Sequence, residues 1–116
     1  MNRYMFIILI FLLWGCHKNN KYTSSKKRMD NYGIDEKKLR ITVKELTRTN
    51  KSDQALKLLD SLIYLNKQNG YLYFERGYVE GYNFHSAAAI KDFEMAKSLH
   101  YDNNACQSMI DLFTKK

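Results

Sequence analysis

No proline occurs in this chain, and its 116 residues include only five glycines and two cysteines. With no proline to interrupt them, long stretches rich in Lys, Leu, Ala and Asp favour helix. No alternating apolar pattern points to a sheet, so the expected class is all-α. A Gly-rich phosphate loop is missing as well. Histidine is scarce: His17, His85 and His100 stand apart, with no Cys, Asp or Glu at a metal-ligand spacing. No nucleophile–base arrangement is visible. Glu75 and Glu80 share a helix but stand five residues apart, so they do not face one way, and each reads as a surface carboxylate. These gaps leave catalysis without support, and neither cofactor nor metal is expected. A chain this short supports one small domain with a modest core.

What the chain does carry begins at its N-terminus. After Arg3 comes an unbroken apolar run, Met5 to Leu13. It is too short to span a bilayer, which needs about 20 residues, and fits the apolar region of a secretory signal. The run ends Leu13-Trp14-Gly15-Cys16, which resembles the lipobox of bacterial lipoproteins: an apolar residue, a variable one, a small one, then Cys. The resemblance implies removal of residues 1–15 and a diacylglycerol on the Cys16 thiol. A further acyl chain such as palmitate makes such an anchor stable, where one chain gives only marginal binding. Cys106 is then a lone thiol without a disulfide partner, read as a small apolar helix residue.

Residues 16–33 are expected to be the lipidated cysteine and a flexible tether. The stretch lacks apolar periodicity, and Lys18, Lys21, Lys26, Lys27 and Arg28 meet only Asp30, a net +4. Such composition cannot build a core. Beside a bilayer its cations can also meet anionic head groups. The chain's formal +7 divides accordingly: Arg3 carries one, the tether four, and +2 remains for residues 34–116. Nucleic-acid binding wants a basic stripe on the fold itself, so no nucleic acid is expected. His17 is not the Asp that retains some lipoproteins at the inner membrane, and no acidic run follows Cys16. By that resemblance the expected place is the periplasmic face of an outer membrane.

From Ile34 on the pattern is helical, and it repeats. Ala55-Leu-Lys-Leu-Leu59 returns as Ala89-Ile-Lys-Asp-Phe93, 34 residues later. The same step pairs Lys57 with Lys91, Leu65 with Leu99 and Asn69 with Asn103. A fixed period of this size with A-x3-F resembles the tetratricopeptide repeat. The likeness is best over Gly70 to Asn103, where Tyr73, Gly77, Ala89, Phe93 and Ala96 take the family's positions. It is looser over Glu36 to Asn69, and Arg76 and Glu80 stand where the pattern wants apolar side chains. The resemblance implies two helical hairpins and a C-terminal capping helix over residues 34–116. Helices approach closely only where small residues meet, so Gly77 is expected against Ala89 and Ala96, flanked by Tyr73 and Phe93.

Local signals place the helices. Asp35 caps the first, which runs to about Thr49, and Ser52 caps the second. The second buries Leu56, Leu59, Leu62 and Ile63 and is ended by Asn69-Gly70. The third covers about Tyr71 to Tyr82, and Ser86 opens a fourth that runs to about Leu99. Asn104 and Gln107 pair to cap the last, Ala105 to Lys115, which buries Met109, Leu112 and Phe113.

In the tetratricopeptide family the first helix of each hairpin lines a groove that holds peptides or a helix. Carried onto this chain, that groove would show Lys37, Arg40, Lys44 and Arg48 from one helix and Tyr71, Phe74, Tyr78 and Tyr82 from the other. Each set steps by three and four, one helical stripe. Cations steer and aromatics anchor, so the stripes suit an acidic envelope protein or peptide with apolar anchors. A tyrosine stripe at helical spacing serves equally well as core, and the residues alone leave groove and core open. Two functions follow: a lipid-anchored, non-enzymatic adaptor or scaffold of the cell envelope, or an immunity-type lipoprotein that occludes a toxin or enzyme.

Overall fold

A computed structural model describes residues 33–115 of the chain. The expectations for the leader, for lipidation of Cys16 and for the tether up to Tyr32 lie outside the described residues. Within them the protein is all-helical, with five helices and no strand. These are α1 (Glu36–Arg48), α2 (Ser52–Leu65), α3 (Gly70–Tyr82), α4 (Ser86–Ser98) and α5 (Asn103–Thr114). Helix α1 packs on α2 and α3, α2 on α3, α3 on α4, and α4 on α5. Two hairpins and a closing helix therefore stack in chain order.

The period in the residues is also the period of the helices. Helices α1 and α3 begin at Glu36 and Gly70, and α2 and α4 at Ser52 and Ser86, both 34 residues apart. The paired positions are buried alike: Ala55 and Ala89, Leu59 and Phe93 are all fully shielded from solvent. One core joins Leu39 and Val43 to Leu59, Ile63, Leu72 and Val79. Phe93, Ala96 and Cys106 are buried between α3, α4 and α5. Leu56 and Leu62 pack against the first core but stay half-exposed.

Gly77 sits at a close crossing of α3 and α4, against Ala89 as expected but against Phe93 in place of Ala96. A Cβ there would lie 3.0 Å from Phe93 Cε1 and 3.2 Å from the Ala89 carbonyl oxygen. The Phe93 ring covers Gly77 directly instead of filling a flank. The Ala96 carbonyl faces Gly70 instead, 3.0 Å from where its Cβ would be. At the far end the Phe113 ring lies over Gly81 and stacks on Phe93 at 6.1 Å.

Helix ends follow competition between caps. The Asp35 side chain accepts from Lys38 N at 3.1 Å, as its position promises. Ser52 does not cap α2. Asn50 ends α1 in the left-handed region at φ 61°, and Lys51 N bonds back to Leu46 O at 2.8 Å. Only Thr49, Asn50 and Lys51 lie between the helices, and Ser52 is already the first, buried residue of α2. Asn69 does not end α2 either. That helix stops at Asn66, and the Asn69 side chain accepts from Tyr71 N to start α3. Asp102, not Asn104, caps α5 through Ala105 N at 3.0 Å. Gln107 instead meets Lys97 and Asp111. Leu112 points outward, 61% exposed, and Cys106 takes the buried place. The Cys106 thiol donates to Tyr101 O at 3.4 Å, and burial raises its pKa above the usual thiol value.

Candidate functional site

A groove of about 340 Å³ runs between α1, α3 and α5. Arg40 and Lys44 of α1 form one wall, Phe74 and Tyr78 of α3 the other, and Ala105 and Met109 of α5 continue it. Tyr101 and Asp102 close one end, and Glu75 lies at the bottom. Helical spacing explains the set: 40 and 44, 74 and 78, and 105 and 109 are each one turn apart, so each helix offers one face.

Four of the eight expected groove residues thus come together: Arg40, Lys44, Phe74 and Tyr78. Tyr71 does not join them. It is 1% exposed, its ring meets Tyr101 at 5.7 Å, and its hydroxyl donates to the Glu36 carbonyl at 2.8 Å. It belongs to the core because the start of α1 and the turn before α5 close over it. Lys37, Arg48 and Tyr82 sit on the same stripes beyond the groove and are exposed. Arg48 is engaged with Glu45 at 2.9 Å.

Glu75 overturns its expectation as a surface carboxylate. It is 3% exposed, and its Oε1 accepts from Arg40 Nε at 2.8 Å. Arg40 Nη2 also donates to the Tyr101 hydroxyl at 3.2 Å, and the guanidinium lies 5.4 Å from the centre of the Tyr71 ring. The hydrogen bond from Arg40 to Glu75 keeps that guanidinium charged. Burial, then the nearby Glu75 charge, pushes the Tyr71 hydroxyl above the usual tyrosine range. Burial also raises Tyr101. The basic stripe is therefore weaker than four cations. Arg40 and Arg48 have carboxylate partners, and among the described residues Lys37 and Lys44 have none.

Several contributors escaped sequence reasoning. Ala105 and Met109 stand 34 residues after Tyr71 and Glu75, so carrying the period into α5 would have found them. Ile41 is 62% exposed and falls among the cations of the α1 stripe, three residues before Lys44. Leu112, three residues after Met109, extends the apolar side, as the expected Tyr82 does four residues after Tyr78. Nothing in the sequence marks Tyr101, which comes from a turn.

Other polar groups serve structure. Arg76 reaches Asp92 and Asp60, which joins α3 to α4 and α2. His85 Nδ1 lies 2.8 Å from Glu80 Oε2 at the α3–α4 turn. Among the described residues no three His, Cys, Asp or Glu side chains gather as a metal site, and no helix is long and apolar enough to cross a membrane. Compared with protein-family models, with curated proteins and with solved structures, the chain matches none.

Proposed function

We propose that this chain is a non-enzymatic protein-binding module, anchored to a membrane through lipid on Cys16, which holds a segment of another envelope protein between α1, α3 and α5. The observation that carries the reading is convergence on one groove. Half-buried aromatics Phe74 and Tyr78, the apolar Ala105 and Met109 and Lys44, which has no ion-pair partner among the described residues, all face it. Exposed Ile41, Tyr82 and Leu112 prolong the same helix faces. Clustered exposed apolar side chains beside cations are what a partner with apolar anchors and acidic flanks would cover. Tyr and Met are also residue types that binding surfaces favour.

The test places a photo-crosslinking amino acid at position 78 of the full chain in its own cells, with position 57 on the far side as control. One recurrent envelope protein attached through position 78 and not through 57 is the expected result. Equal or absent attachment at both would remove the groove reading. A fatty-acid label on the wild-type chain that disappears in Cys16→Ser is expected in the same cells, and an unlabelled wild type would remove the anchor.

A further inference from the structure

We infer that the end of the domain from which the tether leaves is a docking surface for an anionic lipid bilayer, with Tyr64 and Leu65 entering the head-group layer and the lysines around them meeting lipid phosphates. The inference rests on the Cys16 anchor, which brings that end to a membrane, and not on the groove.

Exposed apolar side chains mark the place. Tyr64 and Leu65 are neighbours in the last turn of α2, 75% and 54% exposed. That turn lies beside the start of α1, since Glu36 shares one cavity with Asn66 and Gln68. The described chain begins at the same end, with Gly33. The repeat does not demand these side chains. One period later Tyr64 is replaced by Ser98, and Leu65 by Leu99, which is half-buried. Leu65 also continues a stripe with Leu58 and Leu62. Those two and Ile34 line an open groove of about 400 Å³ between α1 and α2, so apolar surface runs from the tip of α2 towards the tether.

Charge points to the same partner. Lys37, Lys38 and Lys67 are exposed here and have no carboxylate partner among the described residues. The Lys67 ammonium lies 5.7 Å from the centre of the Tyr64 ring, so cation and aromatic form one unit. Such a pair suits a membrane interface, where the ring sits at head-group depth and the ammonium reaches phosphate. The carboxylates beside them are Asp35, which caps α1, and Glu36. The adjoining tether adds a net +4. Residues 17–32 span at most about 55 Å when fully extended, so the bilayer is always within reach. A tether of this kind gives an effective concentration in the millimolar range, and a shallow contact of two apolar side chains and a few lysines then suffices. Docked this way, the domain turns the groove's closed end, at Tyr101 and Asp102, to the bilayer and its far end, at Tyr82, away from it.

The test reconstitutes the lipidated full chain into vesicles of phosphatidylcholine and phosphatidylglycerol. A photo-crosslinking amino acid stands at position 68, just past α2, or at position 84, in the turn at the opposite end. Lipid attachment through 68 and not through 84 is expected. Tyr64→Ser combined with Leu65→Ser should reduce attachment at 68 several-fold, and so should Lys38→Glu combined with Lys67→Glu. Vesicles without phosphatidylglycerol should reduce it as well. All four side chains are exposed, so the melting temperature should stay at the wild-type value. Attachment equal at 68 and 84, or absent at both, would overturn the inference, while a fatty-acid label on Cys16 would still keep the anchor. Attachment at 68 that ignores every one of these changes would overturn it too, because the tether alone would then hold that end near lipid. A chain without fatty acid on Cys16 would remove anchor and inference together.

Discussion

Arg76 grips Asp92 with both arms, Nε 2.9 Å from Oδ2 and Nη2 2.7 Å from Oδ1, and its third nitrogen reaches Asp60 at 2.8 Å. A charged residue on α3 is thereby turned into a tie between three helices. The two carboxylates are not equal partners. Asp92 is nearly buried, and Asp60 is mostly exposed.

Removing Asp92 strands a half-buried guanidinium, whereas removing Asp60 breaks a solvated pair. Asp92→Ala should therefore cost about 2 kcal/mol of unfolding free energy, and Asp60→Ala below about 1 kcal/mol. Urea unfolding of both variants checks this. Equal losses would mean that the fork does not hold α3 to α4.

The second prediction concerns the crossing of α3 and α4. A Cβ on Gly77 would already press on the Phe93 ring and the Ala89 carbonyl. The ring edge can yield slightly, but the carbonyl belongs to helix backbone. Gly77→Ala gains helix propensity and loses packing, so its net change should be small. Gly77→Leu has no space and should cost about 1–3 kcal/mol. Thermal unfolding of Gly77→Leu at the wild-type midpoint would place the crossing elsewhere.

Alkaline pH supplies a third test. The folded state raises the pKa of Tyr71, by burial and then by Glu75, and that of Tyr101, by burial. A raised phenol keeps its proton in the folded chain at a pH where the unfolded chain has lost it. The stability this contributes is complete below about pH 10 and is lost as pH rises through the raised values. The denaturation midpoint should hold level to about pH 9 and then fall, and Tyr71→Phe should fall less steeply. A wild-type midpoint that stays level through about pH 11 would contradict the burial of these hydroxyls.

Those tyrosines also show how far the residues alone could lead. The 34-residue step from Ala55 to Ala89 was enough to expect two hairpins, because buried small residues at helix crossings must recur whenever the helices do. Helix limits came within a few residues and the Asp35 cap was legible, but two other caps were not. Ser52 and Asn104 have good capping side chains, yet a left-handed Asn50 and an earlier Asp102 had already set those helix starts. Depth along a stripe was also hidden. Tyr71 and Tyr78 share one face of α3, and the start of α1 and Tyr101 from a distant turn together separate core from groove. Glu75 was hidden for a related reason. Its partner is 35 residues away on another helix, beyond any local pattern.

The last prediction uses that separation of the two tyrosines, with a peptide selected from a display library against the full chain as the probe. Tyr78 is half-buried and lines the groove, so Tyr78→Ala should raise the peptide's off-rate, by about 2 kcal/mol of lost anchoring, and shift the melting temperature little. Tyr71→Ala should do the reverse: a clear drop in melting temperature from an emptied core site, with near-normal kinetics for the folded fraction. The charged wall is tested through Lys44 and not through Arg40. Arg40→Glu would set a second carboxylate against buried Glu75 and confuse folding with binding. Lys44→Glu changes an exposed side chain without an ion-pair partner among the described residues, so it should slow association of an acidic peptide, reduce its salt dependence and leave stability unchanged. If Tyr78→Ala instead lowered the melting temperature and left the off-rate alone, the α3 aromatics would all be core, and the cations of α1 would face no anchor.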